Sequence, residues 1–261
     1  MSNADDHADD AHTDDARAQA LVAEYYADPA RRLSLMRDLF NRSARYYDLV
    51  NLLVSLGSGA WYRRFCLRRA GLRPGKTVVD IATGTGLLAG EAVTLTGKTG
   101  MVIGVDVSEA MLAIAQRNLG IPLIQASAEA LPLSSGIADF VTMSYALRHV
   151  ADLEQAFAEA KRILRPGGTI LLIEVSAPRN RISRALAGFF IGFLIPRLSQ
   201  FWARDVRART LMQYHWQTIL SYMPPDIVMR VMRESGFERV TCTSYIDLFH
   251  YYIGHKPEGG T

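Results

Sequence analysis

The period of the apolar residues changes along this chain. Between residues 17 and 70 they recur at helical spacing: Leu33, Met36, Leu39 and Phe40 make one stripe, and Leu49, Leu52, Leu53 and Leu56 another. Gly57 and Gly59 punctuate before a second helix, Trp61 to Ala70, which Gly71 and Pro74-Gly75 close. From Thr77 onward, short apolar runs alternate with helical ones. Thr77 to Ile81, Met101 to Val105, Ile121 to Gln125, Ala138 to Ser144 and Thr169 to Val175 read as strands. Leu87 to Leu95 reads as a helix. So does the stretch capped by Ser108, running to Asn118 and stopped by Gly120, and so does Leu153 to Leu164, ended by Pro166-Gly167-Gly168. This alternation predicts an α/β fold with a Rossmann-like, doubly wound and mostly parallel sheet. Two β-rich runs within Glu238 to His255, separated around Asp247, predict a C-terminal antiparallel hairpin.

The same pattern divides the chain. Residues 1–16 are Asp, Ala and His with almost nothing to bury, and a disordered acidic tail is expected there. Asp5, Asp6 and Asp9 spell a DDxxD pattern in that tail, which reads as a solubilising feature and not as a metal site. A helical N-terminal cap (17–70) precedes a cofactor-binding core (71–178). An irregular lid or membrane-facing insertion (179–225) follows, and a terminal helix and hairpin (226–261) complete the core.

Composition changes this picture little. The chain has 261 residues, enough for one sizeable core, and no apolar run long enough to span a membrane. The N-terminus is acidic and lacks an apolar run, so no secretory signal is expected. The two cysteines, Cys66 and Cys242, make neither a disulfide framework nor a metal motif and suit a reducing cytoplasm. The formal net charge of +3 conceals the six Asp in the first 15 residues; the body of the chain is distinctly basic. With no zinc knuckle, RNP or helix-turn-helix pattern, nucleic acid is not the expected partner. The pattern sets no oligomeric state.

The chemistry is concentrated in Val78-Val79-Asp80-Ile81-Ala82-Thr83-Gly84-Thr85-Gly86. An acid ends the strand, and a turn of small residues lets the backbone approach a ligand at a helix N-terminus. Asp80, Thr83, Gly84, Thr85 and Gly86 are candidates there. Alone the turn also fits a nicotinamide fingerprint, with Ala89 in its third glycine position. The acids decide between them, because Asp80 is unwelcome near a pyrophosphate. S-adenosylmethionine (SAM) has no phosphate and carries an ammonium and a sulfonium. Asp106 ends the second strand, placed to accept both ribose hydroxyls. Gln125 to Pro132 follows the third strand and suits an adenine edge, and Met111 on the helix after Asp106 joins the cofactor set.

Beyond the turn, the chain from about Phe40 to Lys256 resembles the ubiquinone/menaquinone biosynthesis C-methyltransferases. The resemblance lies in Tyr47-Asp48-Leu49-Val50-Asn51, Trp61-Tyr62-Arg63-Arg64, Ala126 to Pro132, Tyr145 to Val150, Leu164 to Gly168, Glu174 to Pro178 and Glu234 to Phe237. It implies a class I SAM-dependent methyltransferase releasing S-adenosylhomocysteine, with Thr85, Asp106, Ser127, Ala128 and Ser144 at cofactor-contacting positions. The chain departs from the family pattern at Thr83-Gly84, at His149 in place of Asn, and at Tyr214-His215-Trp216-Gln217 in place of a Tyr-Arg-Tyr-Leu element. These departures bear on the acceptor, not on the cofactor.

A carbon nucleophile such as a quinol needs a base or a cation beside its oxygen. Arg148 is placed to stabilise a phenolate or to pair with a local carboxylate, and His149 to take a proton or to cap a helix. His215, flanked by Tyr214 and Trp216, is a second base candidate or core packing. Tyr47 and Asp48 are placed to close over the cofactor, or Asp48 to cap a helix or pair with Arg45. His250 suits hairpin packing better than a site. The stretch Ala185 to Ile195 is apolar, too short to span a bilayer, and flanked by Arg179, Arg181, Arg184, Arg197, Arg204, Arg207 and Arg209. It suits a greasy lid or a peripheral contact with the inner face of a membrane. The expected activity is C-methylation of a lipophilic, prenylated acceptor such as a quinol. Three rivals stand beside it. One is a specialised-metabolism enzyme acting on a prenyl diphosphate, with Trp202 and Trp216 steadying a carbocation. The others are a non-catalytic SAM-binding subunit and a nicotinamide oxidoreductase.

Overall fold

A computed structural model describes residues 29–198, 216–220 and 223–259. The acidic tail, Trp202, Tyr214, His215 and the arginines at 204, 207 and 209 lie outside the described residues. Two helices come first, α1 (Pro29–Ser55) and α2 (Gly59–Arg69). The alternating part follows as β1 (Thr77–Ile81), α3 (Leu87–Thr96), β2 (Met101–Asp106), α4 (Glu109–Leu119), β3 (Leu123–Gln125), β4 (Ala138–Ser144), α5 (Leu153–Ile163) and β5 (Leu164–Val175). Then come α6 (Arg181–Ala187), a π-wound stretch (Gly188–Leu194), α7 (Pro225–Glu234), β6 (Glu238–Tyr245) and β7 (Phe249–His255).

The seven strands form one sheet in the order β3-β2-β1-β4-β5-β7-β6. The first five are parallel, while β7 runs antiparallel to β5, and β6 to β7. The expected doubly wound sheet with its terminal hairpin is therefore present. Alternation along each strand feeds two cores, as a sheet covered on both faces requires. Val79, Ile81, Ile103, Val105, Val141 and Met143 pack with Phe157 of α5 and Met232 of α7. Val78, Val102, Phe140 and Leu171 pack with Leu67 of α2 and Leu88 of α3. A third cluster joins Val50 of α1 and Val175 at the end of β5 to Ile191, Ile195, Ile219 and Leu248.

Strand order reverses between β1 and β4. The crevice at that switch point lies beyond their carboxyl ends. Helix α1 closes over it. Asn41 Oδ1 accepts from the Ser108 hydroxyl at 2.7 Å and the Ala110 N–H at 3.2 Å, and Asp48 Oδ1 accepts from the Thr85 hydroxyl at 2.6 Å. Ser108 caps α4 by accepting from the Met111 N–H, and Gly120 ends that helix in the left-handed region at φ 60°. Boundaries differ from expectation by two residues or more at three places: α2 begins at Gly59, two residues early, β3 begins at Leu123, two residues late, and β5 begins at Leu164 and abuts α5, without waiting for Thr169. Leu164, the C-cap of α5, is already extended, just ahead of Arg165, whose place before Pro166 closes the helical region to it.

Candidate active site

A cavity of about 430 Å³ occupies the crevice, within the range of small-molecule sites. The β1–α3 turn forms its floor. Gly84 and Gly86 sit at φ 58° and 90°, which side chains resist. A Cβ on Gly86 would meet Leu119 Cδ1 at 2.5 Å, so the close passage of α4 also demands glycine there. Asp106, at the end of β2, is 8% exposed and lines the cavity. Its Oδ2 accepts from the Gly84 N–H and its Oδ1 from the Ser108 N–H, both at 2.8 Å. Burial pushes this carboxyl above its ordinary range, and those backbone N–H groups draw it back. Each oxygen keeps a lone pair for a ligand hydroxyl, so a vicinal diol fits here.

Of the other residues expected at the cofactor, Gly84, Met111, Ser127, Ala128 and Ser144 line this cavity. Asp80, Thr83, Thr85 and Gly86 belong to β1 and the same turn but are not among the cavity's lining residues. Asp80 does not line the cavity; its carboxylate accepts from the Thr83 hydroxyl at 2.7 Å and the Thr142 hydroxyl at 2.6 Å. It is 1% exposed, and burial raises its carboxyl to about 6. Its work is to tie the turn to β4. The wall also includes Met36, Phe40 and Val107, which were not expected at a site, and Glu129 of the stretch expected at the adenine edge. Glu129 accepts from the Ala151 N–H at 2.9 Å and from the Ser127 hydroxyl, joining the β3–β4 and β4–α5 loops.

At the carboxyl end of β4, Tyr145 takes φ 57°, a strained conformation for a bulky residue. Its N–H donates to the Ile173 carbonyl at 2.7 Å, which fixes the turn. The ring then stands in the wall between the first cavity and a second, narrower one of about 70 Å³. Tyr47 of α1 shares that wall. The second cavity is lined by Val50, Val54, Val175, Ile191, Ile219 and Phe249, with Asn51, Arg63 and Arg148 among its polar groups.

Arg148 faces this second cavity, while His149 faces the first and meets the Phe40 ring edge-on at 5.3 Å. Arg148 Nη1 donates to Glu174 Oε2 at 3.1 Å, and Glu174 Oε1 accepts from the Leu147 N–H at 2.8 Å. The pair is buried, with side chains 4% and 1% exposed. Of the two readings open for Arg148, pairing with a local carboxylate is realised, so its charge is already met. Trp216 packs over Gly188 and Gly192, where a Cβ on Gly192 would meet its Nε1 at 2.8 Å. His250 bridges the Ser176 and Ser244 hydroxyls at 2.8 and 2.7 Å inside the hairpin.

The model of the ubiE/COQ5 methyltransferase family matches residues 29–249. The chain belongs to that family. It is 30% identical to the ubiquinone/menaquinone biosynthesis C-methyltransferase UbiE of Shewanella halifaxensis over 224 residues, 83% of this chain and 88% of the relative. To the UbiE of Shewanella oneidensis it is 29% identical over the same shares. Among solved structures, a SAM-dependent methyltransferase of Thermotoga maritima superposes with a TM-score of 0.56 at 24% identity, covering 84% of this chain and 99% of that one. Phosphoethanolamine N-methyltransferase 2 of Haemonchus contortus, in complex with SAM, gives 0.60 at 17% identity over 85% and 60%. These two likenesses speak for the fold. This family member is a SAM-dependent methyltransferase, and the diol-accepting Asp106 at the end of β2 suits the cofactor's ribose.

Proposed function

We propose that this enzyme methylates carbon on a lipophilic, prenylated acceptor, a quinol in the first place. One observation carries the reading: the cofactor cavity ends at Tyr47 and Tyr145, and beyond those rings lies a second cavity with an apolar lining and arginines on its wall. Such a chamber suits a greasy ring bearing an acidic oxygen. The names of the relatives, which act in ubiquinone and menaquinone biosynthesis, support the same class. Bound SAM would supply an electrophilic methyl to the acceptor carbon and leave as S-adenosylhomocysteine, with the proton on the methylated carbon passing to a base. The chain's own part is positioning. Tyr47 and Tyr145 set the approach between the cavities. The Arg148–Glu174 pair is proposed to hold the β4–α5 turn in place, and His149, on the wall of the first cavity, to take a proton near the point of methyl transfer. Asp106, Gly84, Met111, Ser127, Ala128 and Ser144 are proposed to hold the cofactor.

The acceptor's source belongs to the same reading. Among the described residues no helix is long and apolar enough to cross a membrane. Helix α6 and the π-wound stretch instead turn Ile182, Leu186, Phe189 and Phe193 outward, at 72, 66, 61 and 47% exposure. Their spacing of four, three and four residues makes one apolar stripe, while Ile191 and Ile195 face the core. Exposed Arg181, Arg184 and Arg197 flank the stripe, and Arg197 lies over the Phe193 ring at 3.5 Å. An apolar stripe edged with arginine suits an anionic lipid surface, from which a prenylated substrate is delivered.

A prenyl diphosphate is the rival acceptor, favoured by the two arginines of the second cavity. The test offers the enzyme SAM with prenylated benzoquinols or naphthoquinols and, separately, linear prenyl diphosphates, and identifies products by mass. A ring-methylated quinol is the expected product. A methylated diphosphate with inert quinols would replace the acceptor while keeping the methyl transfer.

A further inference from the structure

We infer that Arg63, not Arg148, is the residue that receives an anionic oxygen of the methyl acceptor. The inference rests on the proposed reading that the acceptor occupies the second cavity. Arg63 is 6% exposed, although its guanidinium is always charged. It forms no ion pair among the described residues. Its Nη2 donates to the neutral Asn51 Oδ1 at 3.2 Å, and its buried Nε has no partner at all. A buried charge without a counter-charge is costly and is expected to find one when its site is filled. Arg148 supplies the contrast, since Glu174 already answers it at 3.1 Å.

Placement agrees with chemistry. Arg63 lines the second cavity, and its guanidinium carbon lies 5.9 Å from the centre of the Tyr145 ring, the ring that divides the two cavities. On α2 the other arginines point elsewhere: Arg64 pairs with Glu91 at 2.6 Å, and Arg68 and Arg69 are exposed. Only Arg63 sits on the inward stripe with Cys66 and Leu67. Space is kept for it by Gly59, where a Cβ would stand 2.9 Å from Nη1. A fixed donor that is itself buried among apolar side chains is worth far more to a developing anion than the same donor in solvent. The shared chemistry of the two acceptor classes is an anionic oxygen, a phenolate in one and a diphosphate in the other.

The test titrates 4-nitrophenol and inorganic pyrophosphate, separately, into full-length protein saturated with S-adenosylhomocysteine. Absorbance reads the ionisation of bound 4-nitrophenol, and calorimetry reads pyrophosphate. The wild-type protein is expected to lower the apparent pKa of bound 4-nitrophenol by about 1 to 3 units. Arg63→Met should abolish that shift and weaken the probe about tenfold or more, with S-adenosylhomocysteine affinity within about twofold; Arg63→Lys should restore part of it. Loss of pyrophosphate binding alone would equally support Arg63 and would assign the oxygen to a diphosphate. Gly59→Ala is the second variant: it displaces the arginine's end without removing it, and the same loss is expected even if Arg63→Met fails to fold. Binding of both probes unchanged in these variants, or a wild-type protein that binds neither, would overturn the inference. Turnover of neither acceptor class alongside Arg63-dependent anion binding would instead sink the proposed substrate and leave the anion site standing.

Discussion

Tyr145 and Asp80 show how single residues are used here for their surroundings as much as for their chemistry. The left-handed backbone at Tyr145 costs stability, on the order of 1 kcal/mol or more, and places a ring between two cavities. Asp80 reads from sequence as a ligand-facing acid, and the fold gives each of its oxygens a threonine hydroxyl off the lining of the cavity. Its carboxyl, raised by burial from 3.8 to about 6, makes the native state bind more protons than the unfolded chain between those values. Stability contributed at this residue therefore falls as pH rises from about 4 to about 6, and levels off above. Asp80→Asn should remove that slope. Denaturant unfolding at pH 4 and pH 7 should show the variant gaining on the wild type by up to about 3 kcal/mol at the higher pH. Equal differences at both pH values would mean that the carboxyl is not raised. Asp106 carries the opposite expectation. Asp106→Asn should weaken SAM binding by about tenfold or more in calorimetry, since one ribose hydroxyl loses a charged acceptor. Unchanged affinity would remove the ribose assignment.

Among the elements, the β1–α3 turn and helix α4 depend on each other. The turn must pass under Leu119, and Gly86 makes that possible with no side chain and a φ of 90°. Gly86→Ala should destabilise the protein by about 2 kcal/mol in thermal or denaturant unfolding. Leu119→Ala in the same chain should relieve the clash at 2.5 Å but leave the backbone strain. Full rescue would mean that the positive φ costs nothing. Helix α1 is the other working element. It was legible as helix from its leucine spacing, but its task was not. Asn41, Asp48 and Tyr47 fasten it over the crevice only because β1, β2 and α4 bring Thr85, Ser108 and Ala110 to meet it.

For the whole molecule, the apolar stripe of α6 and the π-wound stretch lies next to the third core cluster, which floors the second cavity. If a lipid surface delivers the acceptor, Leu186→Ser with Phe189→Ser should lower co-sedimentation with anionic vesicles several-fold while SAM affinity holds. Binding by the wild type should also weaken as salt rises, because Arg181, Arg184 and Arg197 act through screened attraction. Vesicle binding indifferent to both changes would leave the stripe without a membrane role.

The local pattern alone determined the order and type of the elements, the strand that ends in a glycine turn, the acid after the second strand and the hairpin. Each of these depends on neighbours a few residues apart: a period, a cap, a proline or a glycine. It was enough to resemble the family to which the chain belongs. What it did not determine was which polar side chain faces a ligand, because that depends on residues far apart in sequence. Asp80 needed Thr142 from β4, and Arg148 needed Glu174 from β5, before either was spoken for. Arg63 did carry a signal, an arginine on the inward stripe with Cys66 and Leu67. Its meaning came only when the folded chain buried it at the second cavity without a carboxylate beside it, since burial is what turns a missing counter-charge into a binding site.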